Sequence, residues 1–252
     1  MSIVIENLVK RFPARTHAGD KVVFDGLNLT VEDEEFITVL GTSGCGKSTL
    51  LNCVAGLESF GGSISVRGEQ VKQPPSSVAV VFQAAHLLPW RTVEGNVRYG
   101  MEMQGVPRGE WKDRVASVLD LVGMSASAKL YPRQLSGGMQ QRVNIARALA
   151  VQPKVLLMDE PFGALDAITK ERMQEELQKI AIREQLTVLF ITHDIAEAIY
   201  LGDRVVVMAG TKKPTGGGIA SIRSVGEQRP RSLKFKRSES AQKLYEELWE
   251  QL

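Results

Sequence analysis

The string Gly41-Thr42-Ser43-Gly44-Cys45-Gly46-Lys47-Ser48-Thr49 constrains this chain more than any other. From Gly41 to Ser48 it has the form G-x-x-x-x-G-K-[ST], whose glycines let successive backbone N–H groups point at phosphate oxygens. Lys47 reaches the β- and γ-phosphates, and the Ser48 hydroxyl is left for Mg²⁺. The surroundings suit that task. Glu35 through Leu40 is a short apolar, β-prone run that reads as a buried strand ending at the loop. After Lys47, the residues Leu50, Leu51, Val54 and Leu57 fall at helical spacing, with Gly56 near the helix end. A strand–loop–helix unit puts a helix N-terminus and its positive dipole end under the phosphates. The loop alone implies only that a nucleoside triphosphate binds.

Composition narrows the class. A chain of 252 residues, 43% hydrophobic, makes one large domain or a core with an inserted subdomain. The 31 basic and 29 acidic residues leave a net charge of +2, which gives no electrostatic case for a nucleic-acid partner. No apolar run approaches the ~18 residues needed to cross a bilayer. Val78–Phe82 and Val205–Ala209 are short and suit buried strands. Met1–Glu6 has no basic stretch leading into an apolar one, so no secretory signal is expected. Cys45, in the loop, and Cys53, on the helix after it, fit no metal spacing; a reduced cytosolic setting is expected.

The first third reads as β-rich, since Leu27, Leu29 and Val31 alternate with polar residues, as do Ile64 and Val66. Val78–Phe82 is expected as a buried strand delivering Gln83. From Thr92 to about Ala150 the character is helical: Val93, Val97 and Met101 share a face, Gly105 and Pro107 interrupt, and Trp111, Val115, Val118 and Val122 form a stripe closed by Gly123. Strands return at Val155–Met158, Val188–Ile191 and Val205–Met208, with a helix over Ile168–Arg183 between the first two. Strand–helix alternation with the phosphate loop at a strand's C-terminal end implies an α/β core with a parallel sheet.

Two further motifs carry chemistry. Val155-Leu156-Leu157-Met158-Asp159-Glu160 is an apolar run ending in paired acids. A buried strand would bring both carboxylates to the sheet edge, Asp159 to hold Mg²⁺ through water and Glu160 to orient and deprotonate the attacking water. In Leu135-Ser136-Gly137-Gly138-Met139-Gln140-Gln141-Arg142, Ser136 can cap a helix with Val143, Ala146 and Leu149 on one side. The two glycines would let a phosphate approach that helix end.

With these motifs in this order, the sequence resembles the ATP-binding-cassette (ABC) family over about residues 3–210. The family signature is LSGGQ-like; here Met139 takes the fifth position and Gln140 follows. The resemblance implies a RecA-like P-loop core, an antiparallel β-subdomain and an inserted helical subdomain at about 85–150. The ATPase domain would span 1–230, followed by a short amphipathic tail, 231–252. It implies that Ser136, Gly137, Gly138 and Gln140 contact the γ-phosphate bound to a second copy, so that ATP is sandwiched in a homodimer. Gln83 matches the Q-loop, which touches Mg²⁺ or water and senses the membrane partner. His193, in Phe190-Ile191-Thr192-His193-Asp194, matches the switch histidine that bonds the γ-phosphate and positions Glu160. Asp166 matches the D-loop that couples the two sites, and it also suits a helix N-cap.

Lys10-Arg11-Phe12 matches the adenine platform with Phe in place of Tyr; stacking is worth about 1–3 kcal/mol and tolerates any ring. The segment Pro13–Lys21 is longer than the usual connection. Phe24 is the rival platform, or else a core residue. Thr42 stands where many relatives have Pro, and the backbone amides remain.

Toward the C-terminus, Gly216-Gly217-Gly218 reads as a flexible break, and residues 223–237 hold six basic residues against Glu227. Leu244, Leu248 and Leu252, with Tyr245 and Trp249, form an amphipathic stripe. Either a short helix docks on the core, or the basic stretch faces anionic lipid headgroups. Leu87, Leu88 and Trp90 either line a groove for a membrane-subunit helix, with Trp90 as anchor, or belong to the interior of the helical insert.

The resemblance implies the ATPase subunit of an importer, peripheral at the cytoplasmic face of the inner (plasma) membrane. Its partners would be integral permease subunits and, indirectly, an extracytoplasmic solute-binding protein. Leu87–Val93, Asp159–Ala167 and the short tail look like the ATPases of nitrate, sulfonate, taurine and bicarbonate importers. Other small nutrients, including thiamine-precursor pyrimidines, are the runners-up as cargo. The alternative class is a soluble ABC ATPase acting on nucleic acid or ribosomes, which would carry two cassettes, a long coiled-coil insertion or strong basic character. A non-catalytic regulator would lack Glu160 or His193.

Overall fold

The computed structural model describes residues 1–13, 21–209 and 217–252. In chain order the elements are β1 (Ile3–Phe12), β2 (Lys21–Val31), β3 (Phe36–Gly41), α1 (Lys47–Val54), β4 (Gly61–Val66), β5 (Glu69–Gln70) and β6 (Val78–Val81). Then come α2 (Val93–Met103), α3 (Arg108–Leu121), α4 (Gly137–Ala150), β7 (Val155–Asp159), α5 (Ala167–Arg183) and β8 (Thr187–Thr192). The chain closes with α6 (Ile195–Leu201), β9 (Arg204–Ala209), β10 (Gly218–Ser224) and α7 (Glu239–Trp249). Most of the Pro13–Lys21 connection, and Gly216, lie outside the described residues. Two compact units result: Met1–Pro75 with Gln178–Leu252, and Ser76–Leu177.

In the first unit β2, β1, β4 and β5 form an antiparallel sheet in that order. Its alternation works as read, since Leu27, Leu29, Val31, Ile64 and Val66 are all buried. Beside it β3 lies parallel between β8 and β9, and β10 runs antiparallel to β9. All six residues of β3 are buried, as expected of a parallel strand covered on both faces. Its one hydroxyl, on Thr38, donates to the carbonyls of Ala198 (3.1 Å) and Arg204 (3.3 Å), so no polar group is stranded there.

Three expectations for this unit need correction. Leu57 lies past the end of α1 and is 49% exposed, because the helix stops at Val54 and Gly56 takes a positive φ. Gly217 and Gly218 are not a flexible break. Gly217 pairs with Phe24 and donates to the Val23 carbonyl at 2.8 Å, and Gly218 opens β10. The tail stripe is only partly used: Ala241 and Leu248 are buried in α7, whereas Trp249 is 65% exposed and Tyr245 and Leu252 are also exposed.

The basic stretch is not uniformly outward either. Arg229 makes a two-pronged bond to Asp203 (2.7 and 2.8 Å). Arg231 is buried, its guanidinium donating to the carbonyls of Glu227, Ile199 and Tyr200 while Phe235 covers it. Burial pushes Arg231 down to about 10, which leaves it charged at neutral pH. The Tyr200 hydroxyl donates back to the Arg231 carbonyl at 2.9 Å. The tail is therefore docked through α6, as one of the two readings had it.

In the second unit β6 and β7 pair in parallel, Val78 opposite Val155 and Val81 opposite Met158. The β6 strand is less covered than expected, with Val78 and Val80 half-buried. Helix α2 buries Val93, Val97 and Met101; each such side chain contributes about 1.5–3 kcal/mol, which holds a helix too short to persist alone. The α3 stripe is shallower. Trp111, Val115 and Val118 are half-buried, and Leu119, which the pattern missed, is the buried residue of that helix. Val143, Ala146 and Leu149 of α4 are buried as read.

Candidate functional site

The first unit carries the phosphate loop. Leu40 pairs with Thr192 and Gly41 with Met208, so the loop and His193 leave the parallel strands at the same edge. Gly46 sits at φ 106, and a Cβ there would fall 2.8 Å from Val23 Cγ1 and 2.9 Å from Phe24 Cζ. Only glycine satisfies both conditions. The same contact settles Phe24: it is fully buried beneath the loop and is no adenine platform.

Helix α1 begins at Lys47 with no side-chain cap, so its first-turn amides have no side-chain acceptor. That is the donor set a phosphate requires. Lys47 is 6% exposed, and its Nζ donates to the carbonyls of Gly41 (2.7 Å) and Thr42 (3.1 Å). Thr42, Ser43, Gly44 and Ser48 are exposed, Thr49 is half-buried and Cys45 is buried. Both cysteines are free thiols. Burial pushes the Cys53 thiol up to about 11, which keeps it protonated and inert.

Phe12 is half-buried at the end of β1, with the Lys10 ammonium 4.6 Å from its ring centroid. Lys10 is itself buried and held by Glu58 (2.9 Å) and the Ser59 carbonyl (2.7 Å), two partners its sequence context did not announce. His193 is exposed, one residue past β8.

The second unit carries the acids. Asp159 ends β7 and is half-buried; Glu160 follows it at φ 43, in the left-handed region. The Gln83 amide donates to the Glu160 carboxylate at 3.3 Å. The parallel register of β6 and β7 explains this meeting, since both chains leave the pair at the same end.

Three polar residues of α4 hold the segment around Gln83. Gln141 and Asn144 both donate to the Phe82 carbonyl at 3.1 Å, and Arg147 donates to the carbonyls of Ala85 (2.9 Å) and His86 (3.0 Å). Asn96 is fully buried. It accepts from the Leu88 N–H (2.7 Å) and donates to the carbonyls of Leu88, Arg91 and Thr92 (3.0–3.2 Å), closing the turn whose tip is Trp90, 70% exposed. Trp90 is thus not interior to the helical insert. Sequence reasoning missed all four of these positions. The only available signal was amide or guanidinium side chains recurring on otherwise apolar helix faces.

At the start of α4 the exposed Ser136 accepts from the Met139 N–H (3.3 Å), as expected of its N-cap. Gly137 has open space around it. A Cβ on Gly138 would fall 3.2 Å from Leu165 and 3.3 Å from the Ala164 carbonyl. Packing alone thus already favours glycine at the second position, since these neighbours would have to give by a few tenths of an ångström. Gln140 turns its amide back onto the carbonyls of Pro132 (3.1 Å) and Leu135 (3.4 Å), bracing the loop before the helix. Asp166 caps α5, accepting from the Thr169 N–H at 3.0 Å. The Thr169 backbone and hydroxyl hold its carboxyl below the usual range.

Among the described residues no cluster of three or more His, Cys, Asp or Glu could hold a metal unaided. Mg²⁺ needs none, since it keeps several waters and takes one or two carboxylates beside phosphate oxygens. No helix among the described residues is long and apolar enough to cross a membrane.

Known proteins with this arrangement are numerous. The family model for ABC transporters matches residues 24–163. The chain is 47% identical over 232 residues to a bicarbonate transport ATP-binding protein of Synechococcus elongatus, covering 91% of this chain and 82% of that one. It is 49% identical over 192 residues to a nitrate import ATP-binding protein of Synechocystis, covering 76% and 72%. A solved dimeric ATP-binding cassette in a post-hydrolysis state, bound to ADP and Pi, superposes with a TM-score of 0.79 at 28% identity, covering 90% of this chain and all of the other.

Proposed function

The chain belongs to the ABC transporter family, and on that premise we propose that it is the ATP-hydrolysing subunit of an importer for a small anion. Glu160 carries this reading. A non-glycine residue at φ 43, directly after Asp159 and bonded to Gln83, occupies a costly backbone conformation of the kind concentrated at functional sites.

Bound ATP with Mg²⁺ supplies a γ-phosphoryl group whose charge the metal helps to neutralise. Lys47 and the amides at the start of α1 bind its phosphates. Ser48 and Asp159, with Gln83, would hold the Mg²⁺. Glu160 accepts the proton of the attacking water, its carboxylate oriented by the Gln83 amide. His193 donates to a γ-phosphate oxygen, and Phe12 stacks on the adenine. Ser136, Gly137, Gly138 and Gln140 act on the nucleotide of a second copy, with Asp166 coupling the two sites, so the active form is a homodimer enclosing ATP.

In this reading the membrane path belongs to separate permease subunits, and the chain sits peripherally at the cytoplasmic face of the inner (plasma) membrane. An extracytoplasmic binding protein delivers the cargo. The exposed Trp90, on a turn fixed by Asn96, supports a docking point for a permease helix.

The bicarbonate and nitrate relatives support a small oxyanion or alkylsulfonate as cargo. The test is loss of the gene followed by uptake of labelled nitrate, bicarbonate, taurine and an alkanesulfonate. Uptake of one should fall to background. Normal uptake of all four rejects the cargo and leaves the ATPase assignment standing.

A further inference from the structure

A buried carboxylate is costly unless its oxygens are bonded. Glu197, in the first turn of α6, is 5% exposed, and the Thr192 hydroxyl donates to its Oε2 at 2.5 Å. The Asp194 N–H donates to the oxygen of that same hydroxyl at 3.0 Å, and the Asp194 carboxylate accepts from the Glu197 N–H at 3.1 Å. In an ordinary capping box the third-residue glutamate reaches the N-cap amide directly. Here the Thr192 hydroxyl stands between them. The relay closes a ring through Thr192, Asp194 and Glu197.

His193 is the residue enclosed by that ring. Both of its chain neighbours are pinned, Thr192 through its hydroxyl and Asp194 through its amide and carboxylate, while the imidazole itself is exposed. Thr192 is also fixed from the other side by its pairing with Leu40, next to the first residue of the phosphate loop. The direction of the relay matters. With Glu197 taking the hydroxyl proton, the oxygen of Thr192 is left to accept from Asp194. Without that acceptor the hydroxyl is free to rotate, and the turn loses the bond that orders it.

We infer that Glu197 is a positioning residue that acts through Thr192 to aim His193 at the nucleotide's terminal phosphate. The inference rests on the reading of His193 as a phosphate contact. It assigns Glu197 a part in turnover rather than in nucleotide binding, because none of the ring's members belongs to the phosphate loop. Loss of aim by about 1 Å at such a residue costs up to about a hundredfold in rate.

The test uses the full-length chain with ATP and Mg²⁺, measuring kcat, KM and the melting temperature of each variant. Glu197→Ala should lower kcat by roughly tenfold to a hundredfold while KM for ATP stays within about twofold. Glu197→Gln keeps an oxygen to accept from Thr192 and should recover most of that loss. Thr192→Val, which removes the relay but leaves Glu197 in place, should reproduce the kcat effect; it stands in if Glu197→Ala does not fold. On a His193→Ala background, Glu197→Ala should slow turnover no further. A lowered melting temperature with wild-type kcat, or a further full loss in the double variant, overturns the inference while His193 keeps its role. Wild-type turnover in His193→Ala alone removes the histidine reading, and this inference with it.

Discussion

The phosphate loop and the segment from Phe82 to Arg91 both lead from a strand into a helix, yet they are held by opposite means. The loop is self-contained: Lys47 bonds Gly41 and Thr42, the Cys45 N–H reaches the Thr42 carbonyl, and the Leu50 N–H reaches Gly46. The second segment hangs on side chains from elsewhere. Its carbonyls are taken by Gln141, Asn144 and Arg147 of α4, some 60 positions further along, and by Asn96 of α2. A loop whose hydrogen bonds are its own keeps its cradle on the fixed floor of Val23 and Phe24, which suits binding. A segment bonded to α4, the helix capped by Ser136, is placed by that helix rather than by its own backbone.

If that division is right, binding and turnover separate by variant. The largest effect falls on Glu160→Gln. Removing a general base costs roughly 10²–10⁴ in rate, while the cradle residues are untouched, so ATP should still bind. A turnover loss of tenfold or less would move the base elsewhere. Lys47→Ala removes a buried ammonium aimed at the cradle, and bonds to charged groups are worth about 1.5–3 kcal/mol. ATP affinity by calorimetry should fall roughly ten- to 150-fold. Unchanged affinity would mean that the loop is not where the phosphates sit.

Stability sharpens the same contrast. Arg147→Ala leaves the Ala85 and His86 carbonyls without their guanidinium donors. Denaturant unfolding should show about 1–3 kcal/mol lost, with faster amide exchange across 82–91. Thr42→Ala, at an exposed position in a loop held by its backbone, should stay within about 0.5 kcal/mol. Equal losses in the two variants would erase the distinction between the regions.

The same distinction explains what was legible in the sequence. The strand–loop–helix around Lys47, the Asp159-Glu160 strand end and the Ser136 cap were readable because each depends on residues within one turn or one strand of one another. The alternation in β2 and the 93–97–101 stripe of α2 were readable for the same reason of periodicity. Most of what escaped depends on distance. Phe24 as the floor of the loop, the contact of Gly138 with Leu165 and the α4 side chains on Phe82 follow from partners that the chain order does not place together. The Thr192–Glu197 relay is local, and it escaped because no spacing announces a hydroxyl set between a carboxylate and an amide. The left-handed backbone at Glu160 escaped because no residue type announces it.

Trp90 gives the smallest expected effect on the chain itself and the most demanding test of the comparison. Its side chain is 70% exposed, and the turn beneath it is closed by Asn96 rather than by the indole. Trp90→Ala should therefore change stability by no more than about 0.5 kcal/mol and leave ATP affinity as it was. Asn96→Ala should instead destabilise by about 1–3 kcal/mol, because the part-buried carbonyls of Leu88, Arg91 and Thr92 lose their donor. If the segment is a docking surface, transport in the assembled importer should fall in Trp90→Ala even though the isolated chain is indistinguishable from wild type. Full transport with an intact fold would leave the segment as a structural turn and remove the reason for hanging it on α4.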